Sequence, residues 1–199
     1  MAGWWAIVPV RSGPSAKSRL SELPADLRAG LSLAFARDTV AAARACEDID
    51  TIIVVGDPAA LEAFGDDAIT TPDPGQGLNA AIETAAGQVP GANPVAVILG
   101  DLPALTPEEL RIALQEGARS PRSFVCDAEG VGTTLLMSLD GSRLGPCFGE
   151  RSRAAHAASG AVEIDAVGLE RLRRDVDTTV ALWDAVRLGV GPATRQALA

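Results

Sequence analysis

The chain has 199 residues, of which 47% are apolar and 22% charged, proportions typical of one globular domain with a full core rather than a disordered or coiled-coil chain. Lys and Arg number 17 against 26 Asp and Glu, and the net charge of −9 argues against a nucleic-acid partner and against an anionic membrane. Apolar runs are far shorter than the roughly 20 residues of a membrane span, no basic region marks a signal peptide and the three cysteines are scattered, so we expect a cytoplasmic protein.

Short apolar segments alternate with amphipathic ones through the first half of the chain. Glycine, proline and aspartate bound the apolar segments, which is typical of buried strands closed by turns. The longer segments carry apolar residues three or four positions apart, which is the spacing of one helix face. This pattern predicts strands at 4–10, 51–55, 67–70 and 94–99, and helices at 24–46, 59–64 and 78–86.

The second half of the chain begins with a well-marked helix start. Thr106 stands at the cap position, Pro107 at the first helical position and Glu109 at the capping-box position, which predicts a helix to about residue 116. Two strands follow with no helix between them, which predicts an antiparallel insertion or edge. These strands are predicted at 123–126 and 133–138, further helices at 150–158 and 178–188, and a last helical turn within 190–198.

The alternation of strands and helices predicts the fold class. We expect a single α/β domain over residues 1–199, with a mostly parallel, mixed sheet and helices on both faces. Ligands of such open sheets bind beyond the carboxyl ends of the strands. The loops in which to look for a site are therefore those after Val10, Val55, Thr70, Leu99 and Ser138.

Three carboxylates stand where a metal ion could bind. Asp101 follows the predicted strand at 94–99 after a single glycine, at the ligand edge of the sheet. Asp175 and Asp177 are two residues apart, so in an extended chain both side chains point to one side and can hold one or two Mg²⁺ ions. The alternatives are that Asp101 caps a turn and that Asp177 caps the helix predicted at 178–188.

Cationic side chains cluster in the loop after the first strand. Arg11, Lys17 and Arg19 lie within nine residues, and Lys17 is the only lysine of the chain. The loop lacks the glycines of a P-loop, yet three cations at this place favour binding of a triphosphate. A solvated basic loop is the alternative.

Small residues at two places are suited to an anion. Gly149 and Ser152 lie where the chain runs into the helix predicted at 150–158; glycine permits close approach, serine offers a hydroxyl and the helix start offers N–H groups. Gly132 and Thr133 offer a similar pair of backbone and hydroxyl groups. Each signal is weak by itself, because glycine–serine turns are common.

No side chain stands out as a general base. His156 is the only histidine, lies in an alanine-rich predicted helix, and cannot anchor a metal site built on several histidines. Recognition of a nucleobase is assigned by position only, to the loop 73–79 or to the Gly56-Asp57 turn.

These motifs, in this order and spacing, resemble the 2-phospho-L-lactate/phosphoenolpyruvate guanylyltransferase family, the CofC-like proteins of deazaflavin coenzyme F-420 biosynthesis. The likeness extends over nearly the whole chain. Val10-Arg11-Ser12-Gly13 replaces the Gly-Gly loop that opens many members of the wider fold family, which disfavours a sugar-nucleotide or molybdenum-cofactor enzyme. The resemblance rests on Val8-Pro9-Val10, Lys17-Ser18-Arg19-Leu20, Gly77-Leu78-Asn79, Gly100-Asp101-Leu102-Pro103-Ala104-Leu105, Gly132-Thr133, Phe148-Gly149-Glu150-Arg151-Ser152, His156, Ser159-Gly160-Ala161, Asp175-Val176-Asp177-Thr178 and Leu188-Gly189-Val190-Gly191-Pro192-Ala193-Thr194.

The resemblance implies a fold, a reaction and a cofactor. The fold is Rossmann-like, of the nucleotide-diphospho-sugar-transferase type. GTP and a phosphorylated three-carbon acid combine with release of pyrophosphate. Phosphoenolpyruvate is favoured over 2-phospho-L-lactate, because the Arg- and Ala-rich composition is typical of high-GC genomes and so associates the chain with the actinobacterial members of the family. Mg²⁺ is expected at Asp101 and Asp175, with Asp177 beside them, in a monomer or homodimer.

The resemblance also implies roles for substrate-binding residues. Lys17 and Asp101 are the expected catalytic residues, and Lys17 lies near the phosphates. The expected substrate-binding residues are Thr133, Gly149 and Ser152 for the acceptor, together with Arg19, Arg11 and Asn79.

Two other functions stay open, namely a nucleotidyltransferase for 3-phospho-D-glycerate or a sugar 1-phosphate, and a non-catalytic nucleotide-binding domain.

Overall fold

The computed structural model describes residues 3–12, 20, 23–65 and 67–199. These residues form one seven-stranded sheet, eight helices and one 3₁₀ turn. The strands are β1 (Trp4–Val10), β2 (Ile49–Gly56), β3 (Ile69–Pro72), β4 (Val95–Ile98), β5 (Arg122–Cys126), β6 (Thr133–Ser138) and β7 (Val162–Glu163). The helices are α1 (Ala25–Arg44), α2 (Pro58–Phe64), α3 (Leu78–Ala86), α4 (Pro107–Gly117), α5 (Ser152–Ala158), α6 (Glu170–Arg173), α7 (Thr179–Leu188) and α8 (Pro192–Ala197), and the 3₁₀ turn is Gly141–Arg143.

The sheet has the strand order β3-β2-β1-β4-β6-β5-β7. β1 pairs in parallel with β2 on one side and with β4 on the other. β6 is antiparallel to both β4 and β5, whereas β7 is parallel to β5. The predicted mixed α/β sheet is thus confirmed, and the point where the strand order reverses, at which open sheets bind ligands, lies between β1 and β4.

Side chains of the central strands point alternately into two cores. Val8 and Val54 pack with residues of α1, α2 and α4 on one face, while Ile7 and Ile53 pack with residues of α3 on the other. Helices therefore cover both faces, as predicted, and this is why the strands are nearly continuous apolar runs. Among the described helices, none combines the length with the hydrophobicity that a bilayer span needs.

One buried carboxylate fixes α8 to α1. Asp38 accepts hydrogen bonds from the backbone N–H groups of Ala193 (2.9 Å) and Thr194 (2.8 Å), so it caps α8 from a distant helix. A Cβ at Gly191 would lie 2.3 Å from Cγ of Asp38, so glycine is required where α8 begins. The helical turn predicted within 190–198 is this helix.

Boundaries differ from the predictions where short-range turn geometry decides them. β3 begins two residues later than predicted, and α5 begins at Ser152 rather than at residue 150. β7, α6 and the 3₁₀ turn have no counterpart among the predicted elements. Glu109 is not engaged in a capping box, since its Oε2 accepts from the backbone N–H groups of Arg171 and Leu172 (both 2.9 Å).

The loop after Ser138 lies at the edge of the sheet opposite the predicted one. Because β6 is antiparallel to β4, Ser138 pairs with Val95, at the start of β4. The first residue of β6, Thr133, instead lies beside the carboxyl end of β4, where the N–H of Leu99 donates to the carbonyl of Thr134 (3.0 Å). The start of β6, and not its end, therefore faces the ligand edge.

Candidate active site

A cleft of about 860 Å³ opens at the carboxyl ends of β1 and β4. Its volume is within the roughly 300–1,000 Å³ typical of ligand sites. The structure brings together in this cleft most of the predicted site residues, although they are far apart in sequence. Those that line it are Arg11, Asp101, Thr133, Gly149, Ser152, Asp175 and Asp177.

Three carboxylates meet on one wall of the cleft. Asp101, Asp175 and Asp177 each offer an oxygen, and these oxygens all lie within 4.8 Å of one another. The N–H of Val176 donates to the carbonyl of Asp101 (3.1 Å), so the 175–177 segment lies against the turn after β4. Val176 is buried in an apolar cluster, and alternation along the extended segment therefore turns Asp175 and Asp177 together towards the cleft.

Two threonines hold the segments that carry these carboxylates. Oγ1 of Thr39, in α1, accepts from the N–H of Leu102 (3.2 Å) and fixes the turn after β4. Thr178 is the cap of α7, and its Oγ1 accepts from the N–H of Ala181 (3.2 Å). The alternative that Asp177 caps this helix is therefore wrong.

A second wall of the cleft carries Thr133, Gly149 and Ser152. Ser152 is almost fully buried, and its N–H donates to the carbonyl of Gly149 (3.1 Å). Gly149 has φ of +156°, a conformation that other residues rarely adopt. All three residues line the cleft, and their binding of an anion stays a prediction.

His156 supports this wall from behind, a role that the sequence did not indicate. The imidazole is fully buried, with Nδ1 2.9 Å from Oγ1 of Thr133 and Nε2 accepting from the N–H of Cys147 (2.9 Å). Burial, together with the nearby Arg122 guanidinium, lowers the pKa of His156 from 6.5 to about 4. The ring is therefore neutral at physiological pH.

Asn79 supports the same wall from α3. Its Nδ2 donates to the carbonyl of Phe148 (3.0 Å), and its Oδ1 accepts from the N–H of Phe148 (2.8 Å). Both polar atoms of the amide thus hold the backbone beside Gly149. A direct contact of Asn79 with a substrate stays a prediction.

A second cluster of acidic residues includes two from the loop between β5 and β6. Oxygens of Asp127, Glu129 and Asp175 also lie within 4.8 Å of one another. The two oxygens of Asp127, however, accept from the backbone N–H groups at positions 131 (2.8 Å) and 132 (2.7 Å), and Glu129 pairs with Arg174 (2.6 Å). These two residues shape the loop that precedes Thr133.

Asp57, in one of the two places assigned to a nucleobase, binds Ser12 after β1. One of its oxygens accepts from Oγ of Ser12 (2.5 Å) and the N–H of Ala60 (3.0 Å), and the other from the N–H of Ser12 (2.8 Å). Burial alone would raise the pKa of Asp57, but the hydrogen bonds from Ser12, Ala60 and Ala59 together lower that pKa below its ordinary value. Of the two predicted places, the 73–79 loop is the one whose Asp73 lines the cleft.

The charge of the cleft is strongly negative within the described residues. Arg11 is the only cationic side chain among those that line it, and the hydroxyl of Ser32 donates to the Arg11 carbonyl (2.7 Å). Lys17 and Arg19, the other predicted cations, lie outside the described residues. The acidic lining residues are Asp73, Asp101, Asp127, Glu129, Glu150, Asp175 and Asp177.

Comparison with known proteins decides the family. Residues 32–175 match the MobA-like NTP transferase domain. The chain is 48% identical to the phosphoenolpyruvate guanylyltransferase of Streptomyces coelicolor, over 96% of this chain and 93% of that protein. The chain belongs to the phosphoenolpyruvate guanylyltransferase family. Members of this family are nucleotidyltransferases, so the resemblance inferred from the motifs is confirmed.

Solved structures confirm the fold of this guanylyltransferase family member. A nucleotidyl transferase from Methanothermobacter superposes with a TM-score of 0.67 at 18% identity, over 94% of this chain and 98% of that chain. A protein from Desulfovibrio desulfuricans G20 assigned to the nucleotide-diphospho-sugar transferases gives 0.64 at 15% identity, over 99% of both chains. The fold is therefore of the nucleotide-diphospho-sugar-transferase type, as predicted.

Proposed function

We propose that the protein transfers GMP from GTP to phosphoenolpyruvate, with release of pyrophosphate, in the biosynthesis of deazaflavin coenzyme F-420. The observation that carries the proposal is the cluster of Asp101, Asp175 and Asp177 in a cleft where the strand order reverses. The acceptor is supported by curated relatives at 43% to 48% identity, which are named phosphoenolpyruvate guanylyltransferases. The free cysteines support a reducing cytoplasm as the place of the reaction.

Mg²⁺ fits the three clustered carboxylates. Carboxylate oxygens are the ligands that this ion prefers, and those of Asp101, Asp175 and Asp177 are close enough to share one. Two polyanionic substrates would otherwise meet a wall of negative charge, because Arg11 alone among the described lining residues is cationic. An Mg²⁺ ion held by Asp101, Asp175 and Asp177 would neutralise charge on the reacting phosphates and orient them.

Thr133, Gly149 and Ser152 hold the acceptor. The two hydroxyls donate hydrogen bonds to carboxylate or phosphate oxygens, and glycine permits these oxygens to approach the backbone. Hydrogen bonds to charged oxygens are stronger than neutral ones, so this wall favours a small, highly charged acid. Orientation by these groups lowers the barrier through proximity.

Asp73 recognises the guanine base. Its Oδ1 accepts from the N–H of Gly75 (2.8 Å), which fixes the carboxylate at the rim of the cleft. Guanine presents two neighbouring N–H donors on its Watson–Crick edge, and adenine does not, so a carboxylate is suited to select GTP. Val55 and Leu78 line the cleft as well and offer apolar surface to the base.

The chemical step is an in-line displacement at phosphorus. A phosphate oxygen of the acceptor forms a bond to the α-phosphorus of GTP, and the bond from that phosphorus to the oxygen bridging to the β-phosphate breaks. The attacking oxygen is already anionic near pH 7, so this step needs no general base. Lys17 and Arg19 would balance the charge of the leaving pyrophosphate.

Pyrophosphate release tests the proposal. The enzyme is incubated with Mg²⁺ and GTP, and phosphoenolpyruvate, 2-phospho-L-lactate or 3-phospho-D-glycerate is added separately. We expect release with phosphoenolpyruvate and little with the other two acids. Release with a different acid would correct the acceptor, and binding of GTP without release in any mixture would refute catalysis.

A pair of Asp-to-Asn variants controls this assay. Asp101→Asn removes a carboxylate of the cluster and should abolish release. Asp165→Asn changes a carboxylate that is 94% exposed, lies outside the cleft and should leave the rate unchanged. Equal activity of the two variants would refute the assignment of Asp101.

A further inference from the structure

The one histidine of the chain has a partner at both ring nitrogens. His156 packs between Phe124, at a centroid distance of 5.8 Å, and Phe148, at 5.0 Å. Its Nδ1 lies 2.9 Å from Oγ1 of Thr133, and its Nε2 lies 2.9 Å from the backbone nitrogen of Cys147. A buried histidine with two partners has a defined protonation state, which these contacts specify.

The contact with Cys147 decides where the ring proton lies. A backbone N–H can only donate, so Nε2 of His156 must accept with its lone pair. The ring is consequently neutral, and its proton is on Nδ1. Nδ1 then donates to the Thr133 hydroxyl oxygen, since that is the atom within hydrogen-bond distance.

This direction of donation determines what Thr133 can offer to the cleft. The hydroxyl oxygen accepts from His156, so the hydroxyl proton cannot point at Nδ1 and is directed elsewhere. Thr133 lines the cleft, where an anionic group is the complementary partner for an O–H donor. A histidine of the opposite tautomer would take up this proton and leave only lone pairs facing the substrate.

The imidazole of His156 also positions the 147–149 segment, which carries Gly149. The N–H that binds Nε2 belongs to Cys147, two residues before Gly149. Between them, the backbone of Phe148 is held by Asn79 through two hydrogen bonds. His156 therefore joins the start of β6 to the 147–149 segment and fixes the separation of Thr133 and Gly149.

We propose that His156 is a positioning residue for the acceptor, which it serves by directing the Thr133 hydroxyl proton at an anionic group of the acceptor. The inference rests on the proposed function, because that function places the acceptor against Thr133 and Gly149. It adds to that function a residue that does not line the cleft. A histidine that merely filled the core would affect both substrates alike.

The tautomer is measured first, and independently of activity. Since His156 is the only histidine, long-range ¹H–¹⁵N spectra of the chain without added histidines show one imidazole and need no assignment. We expect the neutral form with the proton on Nδ1 at pH 7. A proton on Nε2, or an imidazolium ion, would overturn the inference whether or not the enzyme is active.

Kinetics then test the action through Thr133. Thr133→Val removes the hydroxyl at constant shape and should raise KM for phosphoenolpyruvate about tenfold, with KM for GTP unchanged. His156→Gln should raise the same KM, and the double variant should be no worse than the poorer single variant. Thr134→Val is the matched control, because the neighbouring Thr134 hydroxyl is buried with no hydrogen-bond partner among the described residues.

Three results would overturn the proposal. They are equal increases of the KM values for both substrates, multiplication of the two single effects in the double variant, and an unchanged KM in Thr133→Val. If His156→Gln does not fold, the tautomer and the pair Thr133→Val and Thr134→Val still decide the matter. Failure of the wild-type enzyme to release pyrophosphate with any acid would instead refute the proposed function, and the two failures are therefore distinguishable.

Discussion

Acidification should destabilise the protein through His156 by an amount that its burial determines. The imidazole is fully buried, and burial with the nearby Arg122 charge lowers its pKa from 6.5 to about 4. In the unfolded chain the same ring takes up a proton near pH 6.5, whereas the folded protein does not. The contribution of the neutral His156 ring to the free energy of unfolding is therefore fully present above pH 6.5, and it is lost as the pH falls towards 4.

The size of this effect follows from the two pKa values. The difference between 6.5 and about 4 corresponds to a limiting loss of about 3 kcal/mol in the free energy of unfolding. Between pH 7.5 and pH 5.5 the loss from this one residue is about 1.3 kcal/mol. Such a change is a considerable part of the roughly 5–15 kcal/mol by which proteins are stable.

Urea unfolding of the wild type and of His156→Gln measures this loss. The 26 acidic residues titrate equally in both proteins, so the difference between their pH dependences isolates the histidine. Measurements stop at pH 5.5, because proteins associate near their isoelectric point, here about 4.6. Parallel pH dependences, or a His156 proton resonance that titrates with a midpoint above 6, would refute the reasoning.

Three other variants test separate parts of the structure. Asp38→Ala leaves the start of α8 uncapped and should lower the free energy of unfolding by about 1–3 kcal/mol in urea, with the activity of the folded enzyme kept. Asp101→Asn should reduce pyrophosphate release at least about 100-fold with an unchanged melting temperature, and a melting shift of several degrees would attribute the loss to folding instead. Asp73→Asn should lower the ratio of kcat/KM for GTP to kcat/KM for ATP about tenfold, and an unchanged ratio would contradict the role of Asp73.

Sequence patterns predicted those parts of the fold that depend on neighbouring residues. α3 has the predicted bounds, and α4 begins at Pro107 behind the Thr106 cap, because capping and apolar spacing act over a few positions. The same locality explains the miss at Glu109. Its carboxylate is at the right spacing for a capping box, but the backbone of α6, more than 60 residues away, offers two N–H donors.

The aspartate cluster shows how a local pattern becomes a site. Alternation predicted that Asp175 and Asp177 share a side, and it did not predict which side. That choice is made by Val176, whose burial among residues of α1 and α7 turns both carboxylates outwards to meet Asp101. An apolar residue between two acids is thus the sequence signal for a paired site, once a core exists to bury it.

The role of His156 could not be predicted, because it depends on where the antiparallel strand β6 lies in the sheet. A parallel β6 would place Thr133 at the far edge of the sheet, away from Asp101. The antiparallel pairing with β4 brings its first residue to the cleft, and α5 then carries His156 against it, 23 residues later in the chain. The missing helix between β5 and β6 predicted an antiparallel pair, but the place of β6 beside β4 is a property of the whole sheet, and a lone histidine in an alanine-rich helix gives no local sign of it. The direction of the Thr133 hydroxyl proton can consequently be predicted only from the tertiary structure, which shows the contact between His156 and Thr133.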